Sequence, residues 1–162
     1  KGKALCITYV SLTNGETIRE IVPHTLVDNG LRWHVRGFDR KHNEFRDFVL
    51  TRIKLAEVLE SKIPNESELQ AQDRQWHRFV ELELVPHPRI THTEAIELDY
   101  GMNDGAIRVE IRAATVGYLL QLWNVDCSTS HTLKEREYPL WLKNKQALYG
   151  VANLSLAPGY EE

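Results

Sequence analysis

Arginine, histidine and hydroxyl side chains recur on strand-like segments in the first third of the chain, in a spacing suited to binding an anion. Arginine presents a planar, permanently charged fork that donates two hydrogen bonds to phosphate. Tyrosine, serine and histidine complete such a site. The sequence therefore predicts a phosphate or nucleotide site. Its candidate residues are Tyr9, Ser11, His24, Arg32, His34, Arg36, Arg46 and Arg52.

Strand alternation decides which of these side chains share a surface, because residues of equal parity lie on one face. Tyr9 and Ser11 form one such group. A second group comprises Arg32, His34 and Arg36. Arg46 and Arg52 also have equal parity, but at ~3.3 Å per residue they lie about 20 Å apart along a strand. They therefore require a bend, or they mark two ends of one surface.

A purely structural role for the same residues stays open. Arg46 has carboxylates nearby in sequence at Glu44 and Asp47, and an ordinary ion pair would use its charge. His24 follows Pro23, and a turn histidine with satisfied hydrogen bonds fits that position equally well.

Patterns typical of catalysis or metal binding are missing. Ser11 is not part of a nucleophile elbow, and neither cysteine lies near His87 or His92 at zinc-site spacing. The chain has no P-loop and no G-x-G-x-x-G fingerprint. We therefore expect no enzyme activity, no cofactor and no metal.

Four β-rich segments joined by polar turns carry the candidate residues. Asn14-Gly15 is a strong hairpin signal between the first two segments. Four short strands in about fifty residues predict a small antiparallel barrel over residues 1–60, because closure removes exposed edges. The predicted strands are residues 4–12, 17–27, 31–38 and 45–54, with a short helix at 54–60.

The rest of the chain has a different rhythm. Residues 61–76 are polar and rich in turn formers, which predicts a linker. Residues 77–162 predict a small α+β domain of βαββα order, with an additional charged helix in 131–149 that Pro139 interrupts. The fold class is therefore mainly β with α+β. The elements of the second part are strands near 78–85 and 106–112, helices near 91–96 and 116–123, and a further strand leading into the turn at 103–105.

Charge divides the chain in the same place. Residues 1–54 contain ten basic and six acidic residues, whereas the remainder contains ten basic and seventeen acidic ones. The basic part is the candidate for an anionic ligand, although the excess charge could simply solvate a small barrel. No apolar run approaches the ~20 residues of a membrane helix, and two cysteines predict thiols in a reducing cytoplasm. The chain does not begin with Met, which we interpret as a fragment of a longer protein.

The ordered motifs of the basic part resemble a WYL domain, named for a Trp-Tyr-Leu triplet on its third strand. The triplet here is Trp33-His34-Val35. The residues 94–126 resemble the C-terminal extension that accompanies WYL domains. The whole is similar to the WYL repressors encoded beside bacterial anti-phage defence systems. The supporting motifs are Tyr9-x-Ser11, Pro23-His24-x-Leu26, Leu31-Arg32-Trp33, Arg36-Gly37-Phe38 and the run from Phe45 to Ile53.

The resemblance implies an Sm-like, SH3-type barrel whose basic pocket senses a nucleotide or nucleic-acid fragment. It also implies operator DNA binding through an upstream winged helix-turn-helix, and homodimerization through residues 77–162. Histidine stands at position 34 where the family has tyrosine, which removes the hydroxyl contact there but still allows a hydrogen bond. The pocket residues that match the family pattern are Tyr9, Ser11, His24, Arg46 and Arg52, with His34, Arg32 and Arg36 next.

Two other functions fit the same residues. One is a stand-alone single-stranded nucleic-acid-binding module, which would show affinity with a steep salt dependence. The other is a protein-interaction domain whose arginines form ordinary ion pairs, which would show no ligand effect on melting temperature.

Overall fold

A computed structural model describes residues 2–162, which form two compact units. The first ends at Arg74 and the second begins at Gln75. Both are mainly β: the first is a five-stranded antiparallel sheet, and the second is a mixed four-stranded sheet with short helices. Among the described residues no helix has the length and apolar character needed to cross a membrane.

The first sheet has the strand order β4-β3-β2-β1-β5. No ladder joins β4 to β5 within residues 2–162, so the predicted closed barrel is not formed by strand pairing. The residues predicted as a helix at 54–60 belong largely to β5, which pairs with β1. The strands are β1 (Leu5–Ser11), β2 (Gly15–Asp28), β3 (Trp33–Asp39), β4 (Glu44–Val49) and β5 (Ile53–Val58).

Two local features shape this sheet. Gly15 adopts a φ of 64°, which allows the tight turn between β1 and β2 that Asn14-Gly15 predicts. A β-bulge interrupts the ladder of β2 with β3: Pro23 lies opposite Gly37, Thr25 lies opposite Arg36, and His24 has no opposite residue. At Gly37 a Cβ atom would lie 2.5 Å from the carbonyl oxygen of Val22, so this crossing requires glycine.

The two faces of the sheet bury separate apolar clusters. One contains Ile7, Tyr9, Ile21, Val35 and Phe48, and we call its side the Tyr9 face. The other contains Ala4, Val22 and Phe38, and we call its side the Phe38 face. Strand alternation produces this division, because neighbouring residues such as Phe38 and Asp39 point to opposite sides.

The second sheet has the order β7-β6-β9-β8, with β8 and β9 parallel and the other neighbours antiparallel. Its inner face packs with α3 in one apolar core that includes Leu82, Leu84, Leu120 and Leu140. The elements are α1 (Arg74–His77), β6 (Phe79–Pro86), α2 (Thr93–Asp99), β7 (Ile107–Arg112), α3 (Val116–Leu122), β8 (Val125–Asp126) and β9 (Leu140–Leu142).

Two expectations for this part are wrong. The strand predicted before the turn at 103–105 is helix α2 as far as Asp99, and only an isolated bridge joins Asn103 to Ala106. The charged helix predicted in 131–149 is replaced by turns, β9 and a 3₁₀ turn at Lys145–Leu148. Pro139 cannot donate a helical hydrogen bond, which accounts for the break.

Candidate functional site

The candidate anion-binding residues divide between the two faces of the first sheet. Tyr9 contacts Phe48 edge-on at 5.2 Å, and Arg46 has the same parity as Phe48 on β4, so both belong to the Tyr9 face. His24 contacts Phe45 at 5.8 Å, and Phe45 contacts Phe38, which puts His24 on the Phe38 face. The sheet therefore brings the candidates into two groups and not one.

Arg46 belongs to a polar group on the Tyr9 face, which we call the Asp39 cluster (Thr17, Arg19, Asp39, His42 and Arg46). Asp39 Oδ2 lies 3.0 Å from Arg19 Nη1, 2.6 Å from His42 Nδ1 and 3.8 Å from Arg46 Nη1. Arg19 Nε also donates to Thr17 Oγ1 at 3.1 Å. A single fully buried carboxylate thus faces two guanidinium groups and an imidazole.

The Arg46 guanidinium is the accessible part of the Asp39 cluster. Its side chain is 43% exposed, whereas that of Arg19 is 4% exposed. Its Nε lies 2.8 Å from Glu44 Oε1, a carboxylate that is itself 55% exposed. Exposed ion pairs of this kind are weak, so an incoming phosphate can replace Glu44 at Arg46 at little cost.

Tyr9 fixes the chain that carries these arginines. Its hydroxyl accepts a hydrogen bond from the backbone N–H of Val49 at 3.2 Å, and its backbone lies opposite Ile53 in the ladder with β5. Arg52 immediately precedes Ile53 and ends the 3₁₀ turn Leu50–Arg52. The segment from Arg46 to Ile53 therefore passes around the Tyr9 side chain.

Arg52 and Arg32 differ from Arg46 in their surroundings. In the part of the chain that the structure describes, no carboxylate lies within ion-pair distance of either guanidinium. Arg52 is half-buried, and Arg32 is exposed in the turn before β3, where its backbone N–H donates to Asn29 Oδ1. Ser11 closes the first hairpin, since its hydroxyl accepts from the backbone N–H of Asn14 at 2.9 Å.

The Phe38 face carries a second polar group, which we call the Asp73 cluster (His24, Thr25, Arg36, Asp47 and Asp73). Arg36 donates from Nε and Nη2 to the two oxygens of Asp73, at 2.6 and 2.9 Å. Its Nη1 donates to Asp47 at 3.0 Å. His24 Nε2 lies 3.0 Å from Asp73, and His24 Nδ1 lies 2.8 Å from Thr25 Oγ1.

The Asp73 cluster pairs one buried guanidinium with two carboxylates. The Arg36 side chain is 7% exposed, and each of its three nitrogens is bonded to a carboxylate. Burial is the strongest influence and lowers the pKa of Arg36, but the bonds and charges of Asp73 and Asp47 outweigh it and raise that pKa. This arrangement holds the segment around Asp73 to the sheet and leaves little of Arg36 for a ligand.

His34 lies on the same side of β3 as Arg36 and is buried. Burial is the main influence on its pKa, which is lowered, with the charge of Asp47 acting in the opposite direction. The imidazole that replaces the family's tyrosine is therefore held in its neutral form by a dry environment.

A cavity of about 340 Å³ adjoins the Asp73 cluster, and His24 forms part of its wall. The wall is otherwise mostly apolar. Its lining consists of Gly2, Val22, Pro23, His24, Leu69, Gln70 and Ala71. Among residues 2–162, no group of three or more histidine, cysteine or acidic side chains is arranged to hold a metal ion.

Several members of both clusters are missing from the residues predicted from sequence: Arg19, Asp39, His42, Asp47 and Asp73. Arg19 shares parity with Thr17 and Ile21 on β2, so alternation could have found it. Asp73 had no local signal, because it lies in the polar segment 61–76 that predicts a linker. Glu68 in the same segment is also buried, and Arg40 donates to it from two nitrogens at 2.7 and 2.9 Å.

Comparison with known proteins agrees with this two-part organisation. The WYL domain profile matches residues 1–58. The profile described as "BrxR transcriptional regulator, C-terminal dimerization domain" matches residues 79–148. The matched segments fall in the first and the second compact unit, respectively.

The curated relatives are named as repressors and not as enzymes. The DNA-binding transcriptional repressor CapW of Escherichia coli (strain KTE188) is 35% identical over 154 residues, which cover 93% of this chain and 50% of CapW. CapW of Pseudomonas aeruginosa is 38% identical over 123 residues, which cover 74% of this chain and 40% of that CapW. Among solved structures, proteasome accessory factor B/C (PafBC) of Arthrobacter aurescens is 17% identical, with a TM-score of 0.35. The match covers 92% of this chain and 24% of the PafBC chain.

The chain spans about half the length of the curated relatives it matches. The two profiles together cover most of the residues of this chain. The chain therefore joins a WYL domain to a BrxR-type C-terminal dimerization domain, and it is homologous to the CapW repressors.

Proposed function

We propose that this chain is the ligand-sensing and dimerization region of a DNA-binding transcriptional repressor that controls an anti-phage defence operon. The observation that carries the proposal is the identity of 35% to a named repressor over 93% of the chain. In this proposal operator DNA is read by a winged helix-turn-helix outside these 162 residues. A homodimer suits a two-fold operator, because two linked heads then meet two half-sites.

The ligand of the WYL domain is proposed to be a nucleotide or a short nucleic acid bound on the Tyr9 face. Arg46 supports this assignment, since it is the exposed guanidinium of the Asp39 cluster and its partner Glu44 is exposed as well. Ser11 ends the strand that carries Tyr9, and Arg52 immediately precedes Ile53, the residue opposite Tyr9. We include both side chains in the proposed ligand surface. His24, His34 and Arg36 act from the opposite face, where they hold the sheet in shape.

Ligand binding controls DNA release through a difference in affinity between two states of the dimer. A ligand shifts such an equilibrium only by its differential affinity, and couplings of roughly 1–3 kcal/mol are usual. In the proposed mechanism the anion favours a state in which the DNA-reading heads no longer match the half-site spacing. The response is then derepression.

Thermal-shift screening tests the ligand. We expect a mono-, di- or cyclic nucleotide or a short single strand to raise the melting temperature, because a ligand of the folded state stabilises it. Arg46→Ala should abolish that rise, whereas Lys41→Ala, an exposed cation on the preceding turn, should preserve it. A panel without any effect would favour the protein-interaction alternative.

Operator release tests the repressor. In the full-length protein, Arg46→Ala and Arg52→Ala should still bind operator DNA but fail to derepress during phage infection. Normal derepression by both variants would show that this surface is not the sensor. Strong binding of any single strand by the present chain, with a steep loss of affinity in salt, would instead favour the stand-alone nucleic-acid module.

A further inference from the structure

Strand β7 ends the second sheet and leaves one edge open. It pairs with β6 on one side, and no strand in residues 2–162 pairs with its other side. An open edge presents main-chain donors and acceptors to another chain, so proteins usually protect or use it.

The hydrogen-bonding pattern identifies the main-chain groups on that open edge. Ala113 donates from its backbone N–H to the carbonyl of Arg78 at 2.8 Å, which makes position 113 a bonded position toward β6. Bonded positions alternate along an antiparallel strand, so 111, 109 and 107 also bond β6, and 112, 110 and 108 face outward. Ala106 fits this assignment, because its outward groups exchange two hydrogen bonds with Asn103 at 3.2 Å.

Side chains on β7 are sorted by face. Arg108 and Glu110 are exposed on one face, and Ile107, Val109 and Ile111 are half-buried on the other. Glu110 lies directly opposite Glu81 of β6, an unfavourable pairing of like charges. No ion pair involves either carboxylate within the described residues, whereas Arg108 lies opposite Glu83 with its Nη2 3.5 Å from Oε1.

We propose that the open edge of β7 pairs antiparallel with β7 of a second copy of this chain, in the register that places Arg108 opposite Glu110 on both sides of Val109. The outward main-chain groups of Arg108 and Glu110 then bond those of Glu110 and Arg108 in the partner. The two-fold axis passes by Val109, so each copy contributes the same surface, as an isologous interface requires.

Charge selects this register over its neighbours. Moving the second copy's strand by two residues in one direction puts Glu110 opposite Glu110 of the second copy, and Arg108 opposite Arg112 of that copy. Moving it by two residues in the other direction puts Arg108 opposite Arg108 of the second copy. Both place like charges in direct contact, whereas the proposed register forms two opposite-charge pairs and brings an arginine next to the crowded Glu110 and Glu81. On the inner face it packs Val109 on Val109 and Ile107 on Ile111.

The inference rests on the proposed homodimer and names the surface that forms it. The matched dimerization profile, residues 79–148, includes all of β7. Four main-chain hydrogen bonds and two ion pairs make a short seam. It joins the two four-stranded sheets into one of eight strands, with the half-buried isoleucines covered.

Charge reversal tests the register in the complete 162-residue chain. Glu110→Arg should raise the dimer dissociation constant at least tenfold in sedimentation equilibrium, because it places arginines opposite each other twice. Adding Arg108→Glu should restore the constant to within about threefold of the original, because the pairs are reversed and not removed. Glu57→Arg, the same change on the exposed edge strand β5, is the matched control and should have no effect.

A disulfide tests the geometry independently of charge. Residues facing each other at a position without ladder bonds have Cα atoms about 4.5 Å apart, within the range of a disulfide. Val109→Cys combined with Cys6→Ser should form a covalent dimer on mild oxidation, since the remaining Cys127 is buried. Glu57→Cys in the same background should not.

The outcomes separate the two proposals. A chain that is monomeric at every concentration would overturn the homodimer itself. A stable dimer that is insensitive to Glu110→Arg and gives no covalent dimer with Val109→Cys would overturn the β7 seam and leave the homodimer standing. Weakening by Glu110→Arg without restoration by the double reversal would also overturn the proposed register.

Discussion

The Asp39 cluster and the Asp73 cluster use the same kinds of side chain on opposite faces of one sheet. They differ in the number of carboxylates per arginine and in the exposed fraction of the arginine side chains. In the Asp73 cluster Arg36 is bonded to two carboxylates and is 7% exposed. In the Asp39 cluster one buried carboxylate serves two arginines, and the outer one, Arg46, is 43% exposed. Residue type alone therefore does not identify an anion site, because an arginine that is buried and matched acts as a structural tie.

The largest expected effect comes from removing the Asp73 carboxylate, which accepts two of the three hydrogen bonds from Arg36. Asp73→Ala leaves Arg36 buried with only Asp47, and loss of one partner of a buried ion pair typically costs about 3–5 kcal/mol. Urea denaturation followed by circular dichroism measures the change. Replacing the whole group, Arg36→Met with Asp73→Leu and Asp47→Asn, should recover most of the stability, because neither a buried guanidinium nor a carboxylate that has lost it remains. A loss below about 1 kcal/mol for Asp73→Ala would remove the contrast between the clusters.

The corresponding change on the Tyr9 face should weaken folding but strengthen ligand binding. Asp39→Asn removes the negative charge that holds Arg19 and His42, and hydrogen bonds to charged groups contribute about 1.5–3 kcal/mol. The two arginines then lose a competing anion, so affinity for inorganic phosphate or a nucleotide should rise. Isothermal titration alongside urea denaturation measures both quantities. Unchanged or weaker anion binding would show that this face is not the receptor.

A smaller effect appears with pH. Because burial lowers the pKa of His34 below its usual 6.5, the unfolded chain takes up a proton before the folded one. The free energy of unfolding should therefore be unaffected by His34 above pH 6.5 and fall as the pH drops below it, by at most about 1.4 kcal/mol per pH unit.

His34→Gln should remove this slope between pH 5 and 6.5, and an NMR titration of the native imidazole checks the direction directly. The buried carboxylates whose pKa is lowered act mainly at lower pH. The bond to Arg40 is the main reason that the pKa of Glu68 lies below its usual 4.5, and the pKa of Asp126 lies below its usual 3.8. The stability that these two carboxylates contribute is therefore lost as the pH falls below those values. An imidazole of His34 that protonates above pH 6.5 would contradict the dry environment of the Phe38 face.

Local signals predicted the first three strands well, whereas the fourth, predicted over 45–54, ends at Val49 before the 3₁₀ turn Leu50–Arg52. Asn14-Gly15 set the first hairpin, and alternation correctly put His34 and Arg36 on one side of β3. The strand β5 was mistaken for a helix because seven residues of mixed pattern fit either a helical or a strand period. Its partner strand β1 is more than forty residues away in sequence, so the local pattern does not show the pairing.

The candidate site was harder to predict than the strands. Parity shows which residues of one strand share a face, but it does not show which faces of different strands coincide once a bulge intervenes. Nor does it reveal that Asp73, in a segment without strand or helix periodicity, returns to Arg36. Pairing over such distances is decided by tertiary packing and leaves no mark on the local pattern.

The β-bulge in β2 makes His24 the one residue of this strand that can be lost without changing the register of the others. The supernumerary His24 lets both His24 and Thr25 reach the Phe38 face, and it leaves Val27 buried and Leu26 exposed farther along. Deleting that one residue would leave every other pair of the ladder in place, because Pro23 and Thr25 already lie opposite the consecutive residues Gly37 and Arg36. Homologous sequences with a one-residue gap at this point should consequently keep the same pattern of buried and exposed positions over residues 25–28 and lack the imidazole that contacts Asp73.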